Sequence, residues 1–118
     1  MKRIGDWGES VAAAYLREHG YEIVAAGYRT RYGEIDLIAK NAAYLIFVEV
    51  KTRKNADFSL AREAISRRKI EKLRRTAALW LSENETRLQP RFDVIELYAP
   101  QGERTARPEI LHMEDAFQ

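Results

Sequence analysis

The stretch Arg31 to Lys51, RYGEIDLIAKNAAYLIFVEVK, constrains this chain more than any other. Tyr44 to Lys51 is almost continuously apolar until its last residues, as a central strand covered on both faces requires. Alternation sends Ile46, Val48 and Val50 one way and Leu45, Phe47, Glu49 and Lys51 the other. Glu34 to Lys40 reads as a preceding strand, with Ile35, Leu37 and Ala39 on one face and Glu34, Asp36 and Ile38 on the other, and Asn41-Ala42-Ala43 connects the two. Two carboxylates, Asp36 and Glu49, and the amine of Lys51 are thereby expected to meet at one sheet edge.

Ahead of this core, Trp7, Val11, Ala14 and Tyr15 recur at helical spacing, which predicts a helix over residues 4–19 stopped by Gly20. Glu9 lies near its start on the same face as Ala12, Ala13 and Leu16. It reads equally as a first-turn carboxylate favoured by the helix dipole or as a side chain reaching into a site. Tyr21 to Tyr28 predicts a strand, with a turn through Tyr32-Gly33. After Lys51, residues 52–57 read as a polar loop and 58–64 as a short helical turn. Ile70, Leu73, Ala77, Trp80 and Leu81 then mark one face of a helix from about Ser66 to Glu83. Residues 90–99 alternate as a fourth strand and 109–113 as a fifth, short one. With 118 residues, one domain is expected. The order helix, three strands, helix, two strands implies an α/β layer with a mixed sheet.

Composition removes several chemistries. The absence of cysteine excludes disulfides, thiolate zinc and a cysteine nucleophile, and is compatible with a cytoplasmic location. Two histidines, His19 and His112, leave any metal to oxygen donors. No apolar run approaches the roughly 18 residues of a membrane span, and Gly5 to Glu9 stands where a signal peptide needs its apolar region. No Ser/His/Asp set or phosphate-cradling glycine loop is visible, so no organic cofactor is expected. Residues 50–75 carry ten Lys and Arg against three Asp and Glu, a local excess that a net charge of +2 conceals. Such an excess suits a phosphate backbone, and a solvated helix face is the plainer alternative.

Glu49-Val50-Lys51 alone is a weak signal, and a simple Glu49–Lys51 ion pair accounts for it. Its place after Leu45 and Phe47 strengthens it, because a charged pair on a buried strand needs compensation. Asp36 and Glu49 supply hard oxygen ligands for Mg2+, with Mn2+ as substitute, and the Val50 carbonyl and water are candidates to complete the shell. Lys51 would lie near the attacking water, with Glu9 in support. This points to phosphodiester hydrolysis, with the basic segment holding flanking phosphates.

The strings Gly5-x-x-Gly8-Glu9, Ala12-Ala13-x-Tyr15-Leu16, YGEIDLIA at Tyr32 to Ala39, FVEVKTR at Phe47 to Arg53 and RFDV at Arg91 to Val94 resemble the YraN family of bacterial predicted endonucleases. That family is similar to archaeal Holliday-junction resolvases. The resemblance implies a restriction-endonuclease-like fold, a mixed sheet of about five strands flanked by helices, and a Mg2+ site to which Glu9, Asp36, Glu49 and Lys51 correspond. One departure is Gly27, where many relatives carry Asn, in what reads as the turn before Arg29. Candidate DNA contacts are Arg29, Arg31, Arg53, Arg67, Arg68 and Lys72, and a homodimer would suit cutting both strands of a junction. The alternative is an accessory module that keeps the nuclease fold, binds nucleic acid and does not cut. Trp7 and Trp80 read as core, Tyr28 and Tyr32 as turn packing, and His19 as a helix-end cap.

Overall fold

The structure, a computed structural model, describes residues 4–54 and 65–117, with side chains from Asp6 onward. Helix α1 (Ile4–Glu18) is followed by strands β1 (Glu22–Thr30), β2 (Gly33–Lys40) and β3 (Tyr44–Arg53). Helix α2 (Arg67–Glu83), strand β4 (Gln89–Tyr98), a 3-10 turn at Gly102–Arg104 and strand β5 (Glu109–Phe117) complete the described chain. The sheet order is β1-β2-β3-β4-β5. Neighbours are antiparallel except β3 and β4, which run parallel from Tyr44↔Gln89 to Arg53↔Tyr98. Parallel neighbours need a crossover, and α2 provides it. The architecture is an α/β mixed sheet flanked by two helices, consistent with the restriction-endonuclease-like fold implied by the resemblance.

One helix covers each face. Against α1, the residues Ala12 and Leu16 pack on Leu37, Ile46, Val48 and Ile95. Against α2, Leu73, Ala77 and Trp80 pack on Ile35, Ile38, Leu45 and Phe47. The outward and inward sets expected for β3 are the observed ones. In β2 the expected alternation fails, because Ile35 joins the α2 side with Ile38, while Leu37 and Ala39 face α1. The break coincides with Gly27 of β1, which lies between Ala26 and Tyr28, the partners of Leu37 and Ile35, and so stands across from Asp36. Gly27 has φ +66° and lies within a strand, not in the turn. That left-handed conformation favours Gly and, among other residues, Asn, which is compatible with the Asn that the resemblance implies for relatives.

Residues 52 and 53 continue β3 through Thr52↔Leu97 and Arg53↔Tyr98 instead of opening a loop. The rest of that loop from residue 55, and the helical turn expected at 58–64, lie outside the described residues. Gly8 belongs to a close approach of α1 to β3, since a Cβ there would collide with Oγ1 of Thr52. Trp80 is core, meeting Phe47 edge-on at 6.0 Å between centroids, whereas Trp7 is half-buried outside both clusters. Nδ1 of His19 donates to the Tyr15 carbonyl at 2.8 Å, a helix-end cap. Tyr28 packs toward α2 and donates to Glu83 at 3.3 Å.

Strand β5 extends four residues beyond its expected end, and a buried polar network explains why. Asp93 of β4 has no exposed surface. It accepts two hydrogen bonds of 2.8 Å from the Arg91 guanidinium, one of 2.7 Å from Nε2 of His112 and one of 3.0 Å from the Asp115 N–H. A carboxylate only accepts, so Nε2 of His112 carries the proton and Nδ1 accepts from the Tyr15 hydroxyl at 3.2 Å. Arg91 also donates to Tyr21 at 2.8 Å. Burial works against charge on Asp93, but the hydrogen bonds from His112, Arg91 and Asp115 outweigh it and hold its carboxyl below the ordinary value.

Candidate active site

The β2–β3 ladder pairs Lys40↔Leu45 through Leu37↔Val48 and stops. One step further would set Asp36 directly against Glu49, and like charges so opposed destabilise a sheet. The strands part instead, and Oδ2 of Asp36 accepts the Val50 N–H at 2.8 Å, so a side chain replaces the ladder acceptor. The divergence opens a cleft of about 550 Å3 between these strands and the N-terminal half of α2. Glu34, Asp36 and Glu49 form its floor, and Arg68, Lys69 and Lys72 its wall. The carboxylates therefore meet where two inner strands separate, not at a sheet edge, because β1 and β4 flank them.

Ser66 starts that wall. Its Oγ accepts the Lys69 N–H at 3.1 Å, which caps α2 and fixes the first turn. Glu49 is 6% exposed, and its Oε1 lies 2.7 Å from Nζ of Lys69 and 3.6 Å from Nζ of Lys51. The ion pair expected within Glu49-Val50-Lys51 exists, but it is the longer of the two contacts. A buried carboxylate needs such partners. Burial lowers the Lys69 pKa, and the hydrogen bond and charge of Glu49, with Asp36 adding to them, more than reverse this. Asp36 is held differently, its described hydrogen bond coming from the Val50 backbone. Burial and the charge of Glu49 push its carboxyl up, the Val50 N–H opposes this, and Glu9 and Glu34 add to the rise, bringing it to about 7.

Among the described residues no three acidic or histidine side chains close on one point. Mg2+ does not require three, because it is commonly held by one or two carboxylates plus water and substrate phosphate. Asp36 and Glu49 fit that donor set, and a cation beside them would relieve the repulsion that raises Asp36.

The other expected residues divide. Glu9 and Arg29 line a second cleft, about 530 Å3, on the α1 face with Arg17, Ala26 and Gly27, and Glu34 borders both clefts. Glu9 therefore acts on Asp36 through its charge and does not line the same cleft. Arg68 and Lys72 lie in the cleft wall; Arg67 is exposed outside it. Arg31 is folded onto Tyr32, donating to its hydroxyl at 2.8 Å with the guanidinium 4.9 Å from the ring centroid. Arg53 is half-buried at the end of β3. Lys69 is the residue that pattern reading missed. Its position three residues after a capping serine was legible, but a helix pattern does not say which basic side chain leans over which strand.

Fold and site together define an α/β protein in which an acidic strand junction faces a basic helix. The chain belongs to the uncharacterised protein family UPF0102, whose model matches residues 8–97, a span that includes Glu9, the floor and wall of the cleft and all but the last residue of β4. It is 44% identical to the UPF0102 protein of Nocardia farcinica over 97% of this chain and 88% of the relative. It is 39% identical to that of Syntrophomonas wolfei over 98% of each chain. It is 38% identical to that of Bifidobacterium longum over 98% of this chain and 94% of the relative. No helix among the described residues is long and apolar enough to cross a membrane.

Proposed function

We propose that the chain is a Mg2+-dependent endodeoxyribonuclease that hydrolyses phosphodiester bonds in branched or otherwise structured DNA. The observation carrying this reading is the pairing in one cleft of an acidic floor, Asp36 and Glu49, with a cationic wall, Arg68, Lys69 and Lys72. The wall attracts phosphates, and the floor repels them unless a cation intervenes. Asp36 and Glu49 would hold the ion, which supplies charge withdrawal from a phosphoryl oxygen and a more acidic water. Lys51, beside Glu49, orients the attacking water or meets the charge developing on the phosphoryl oxygen. Arg68 and Lys72 neutralise flanking phosphates and fix register on the backbone. The resemblance to resolvases supports the choice of structured DNA.

The test is cleavage of linear, nicked, flapped and four-way DNA with Mg2+ or Mn2+. Glu49→Gln and Lys51→Ala are each expected to reduce product by about 10^2-fold or more, with DNA binding retained. Full activity in Asp36→Asn/Glu49→Gln protein would defeat the proposal. Binding without product on any substrate would favour the non-cutting accessory module.

The wall carries its own expectation. Replacing Arg67, Arg68 and Lys72 together by Ala should flatten the salt dependence of DNA affinity, by about 0.9 in log-log slope for each phosphate that is no longer neutralised. Because Arg67 lies outside the cleft, a change near two is expected rather than three. An unaltered slope, measured by fluorescence anisotropy over a salt series, would remove α2 from the DNA interface.

A further inference from the structure

Two lysines converge on one buried oxygen of Glu49, and they reach it from different elements. Lys51 belongs to β3 itself, while Lys69 comes across the cleft from α2 and makes the shorter contact, 2.7 Å against 3.6 Å. Lys69 is also the more exposed, 42% against 21%. A long, half-exposed side chain tethered to a helix can leave its partner by rotating into the cleft, whereas Lys51 is fixed beside Glu49 by the strand. Arg68 and Lys72, on the same wall, show where that movement leads, since this is the surface on which a phosphate backbone would lie.

We propose that Lys69 is a tethered counter-ion that occupies the cation's side of Glu49 in the cation-free protein and transfers to a DNA phosphate when a divalent cation takes its place. This deepens the reading above and rests on it. Without the ion, Lys69 offsets the charge of the buried Glu49 carboxylate beside Asp36. With the ion bound, a dication beside Oε1 of Glu49 repels the Lys69 ammonium at contact distance more strongly than Lys51 does at present, and the ammonium, which the strand does not fix, moves to the nearest anion, a substrate phosphate. Cation and DNA binding are thereby linked through one side chain: the ion frees a phosphate ligand, and a phosphate that holds Lys69 clears the ion's ligand. Such linkage is reciprocal by thermodynamic necessity.

The test compares Lys69→Met with Lys72→Met, which removes the same charge from the same wall without touching Glu49. Titrating Mn2+ calorimetrically into the full chain without DNA, Lys69→Met is expected to bind the ion about tenfold more tightly than wild type, and Lys72→Met less than about threefold. With Ca2+ present, Lys69→Met should lose about one unit of the salt slope for DNA affinity, and in EDTA it should lose almost none. Lys72→Met should lose the same amount in both. Thermal melts of both variants establish that they fold. Equal effects of the two substitutions on Mn2+ affinity, or a Lys69→Met slope change that ignores the cation, would overturn the exchange while leaving the nuclease reading in place. If neither wild type nor Lys69→Met binds Mn2+, the cation site itself fails and both readings go.

Discussion

Asp93→Ala should destabilise the protein by roughly 3–5 kcal/mol, the range for breaking a buried charge pair by removing one partner. The reason is what remains behind. Asp93 is fully buried and receives the Arg91 guanidinium twice, Nε2 of His112 and the Asp115 N–H. Deleting it takes the shared acceptor from all three groups in the seam between β4 and β5, leaving Arg91 with Tyr21 and the partly exposed Glu114. For a domain of this size the loss corresponds to a melting temperature lower by about 10–20 °C. Asp93→Asn should do little better, because its amide presents a donor to a guanidinium that only donates. The Arg91→Met/Asp93→Ala pair should lose clearly less than the two single losses added together, since the second change removes a group the first had orphaned. The folded-state carboxyl is held below its unfolded value. Its stabilising contribution is therefore present at neutral pH and disappears as pH falls below about 4, so wild-type and variant stabilities should converge in acid. Circular-dichroism melts from pH 3 to 8 check both statements, and a loss under about 1 kcal/mol at pH 7 would show the network to be dispensable.

Asp36→Asn should do the reverse and stabilise the cation-free protein at alkaline pH. The Asp36 carboxyl is raised from 3.8 to about 7 in the folded state. Between those values the folded protein binds the proton that the unfolded chain has released, so this group's contribution falls as pH rises from about 4 to 7 and is fully unfavourable above that window. Three pH units correspond to about 4 kcal/mol at most. Asn keeps an oxygen for the Val50 N–H, so the expected net gain at pH 8 is about 1–3 kcal/mol, shrinking toward zero near pH 5. Millimolar Mg2+ should raise the melting temperature of wild type at pH 8 and leave that of Asp36→Asn unchanged, because only the wild type offers both carboxylates. A variant less stable than wild type at pH 8 would mean that the Val50 hydrogen bond, not the repulsion, governs this position.

Much of this arrangement was legible in the sequence, for reasons that can be located. The uninterrupted apolar run of β3 marks a strand covered on both sides, and its period of two places Glu49 and Lys51 together. The helical period of Leu73, Ala77 and Trp80 marks α2 and the side it buries. Patterns of period and turn chemistry are local, and what they miss is what distant segments do to one another. Nothing local says that Asp36 would stand across from a left-handed Gly27 and break the alternation of β2, or that Lys69 would lean over Glu49. RFDV was visible as a string, but only the arrival of β5 makes Asp93 the acceptor for His112 and the Asp115 N–H as well as for Arg91. Glu9 illustrates the converse: spacing left its two roles balanced, and the fold sets it in the cleft on the α1 face, near enough for its charge to raise Asp36.

The parallel seam of β3 and β4 divides the cleft by how its parts are tied into the chain. Its acidic floor is closed by short connections, residues 31–32 between β1 and β2 and 41–43 between β2 and β3. Its basic wall enters the chain through a crossover whose first registered pair, Tyr44↔Gln89, spans 45 positions. The entropy of closing a chain segment grows only logarithmically, about 0.6 kcal/mol for each doubling of length. A crossover of that length therefore tolerates a change in its number of residues at small thermodynamic cost, while Leu73, Ala77 and Trp80 hold the wall on the sheet. The hairpins that hold the carboxylates have no such latitude, since one residue more or less there would turn every side chain of a strand to the opposite face.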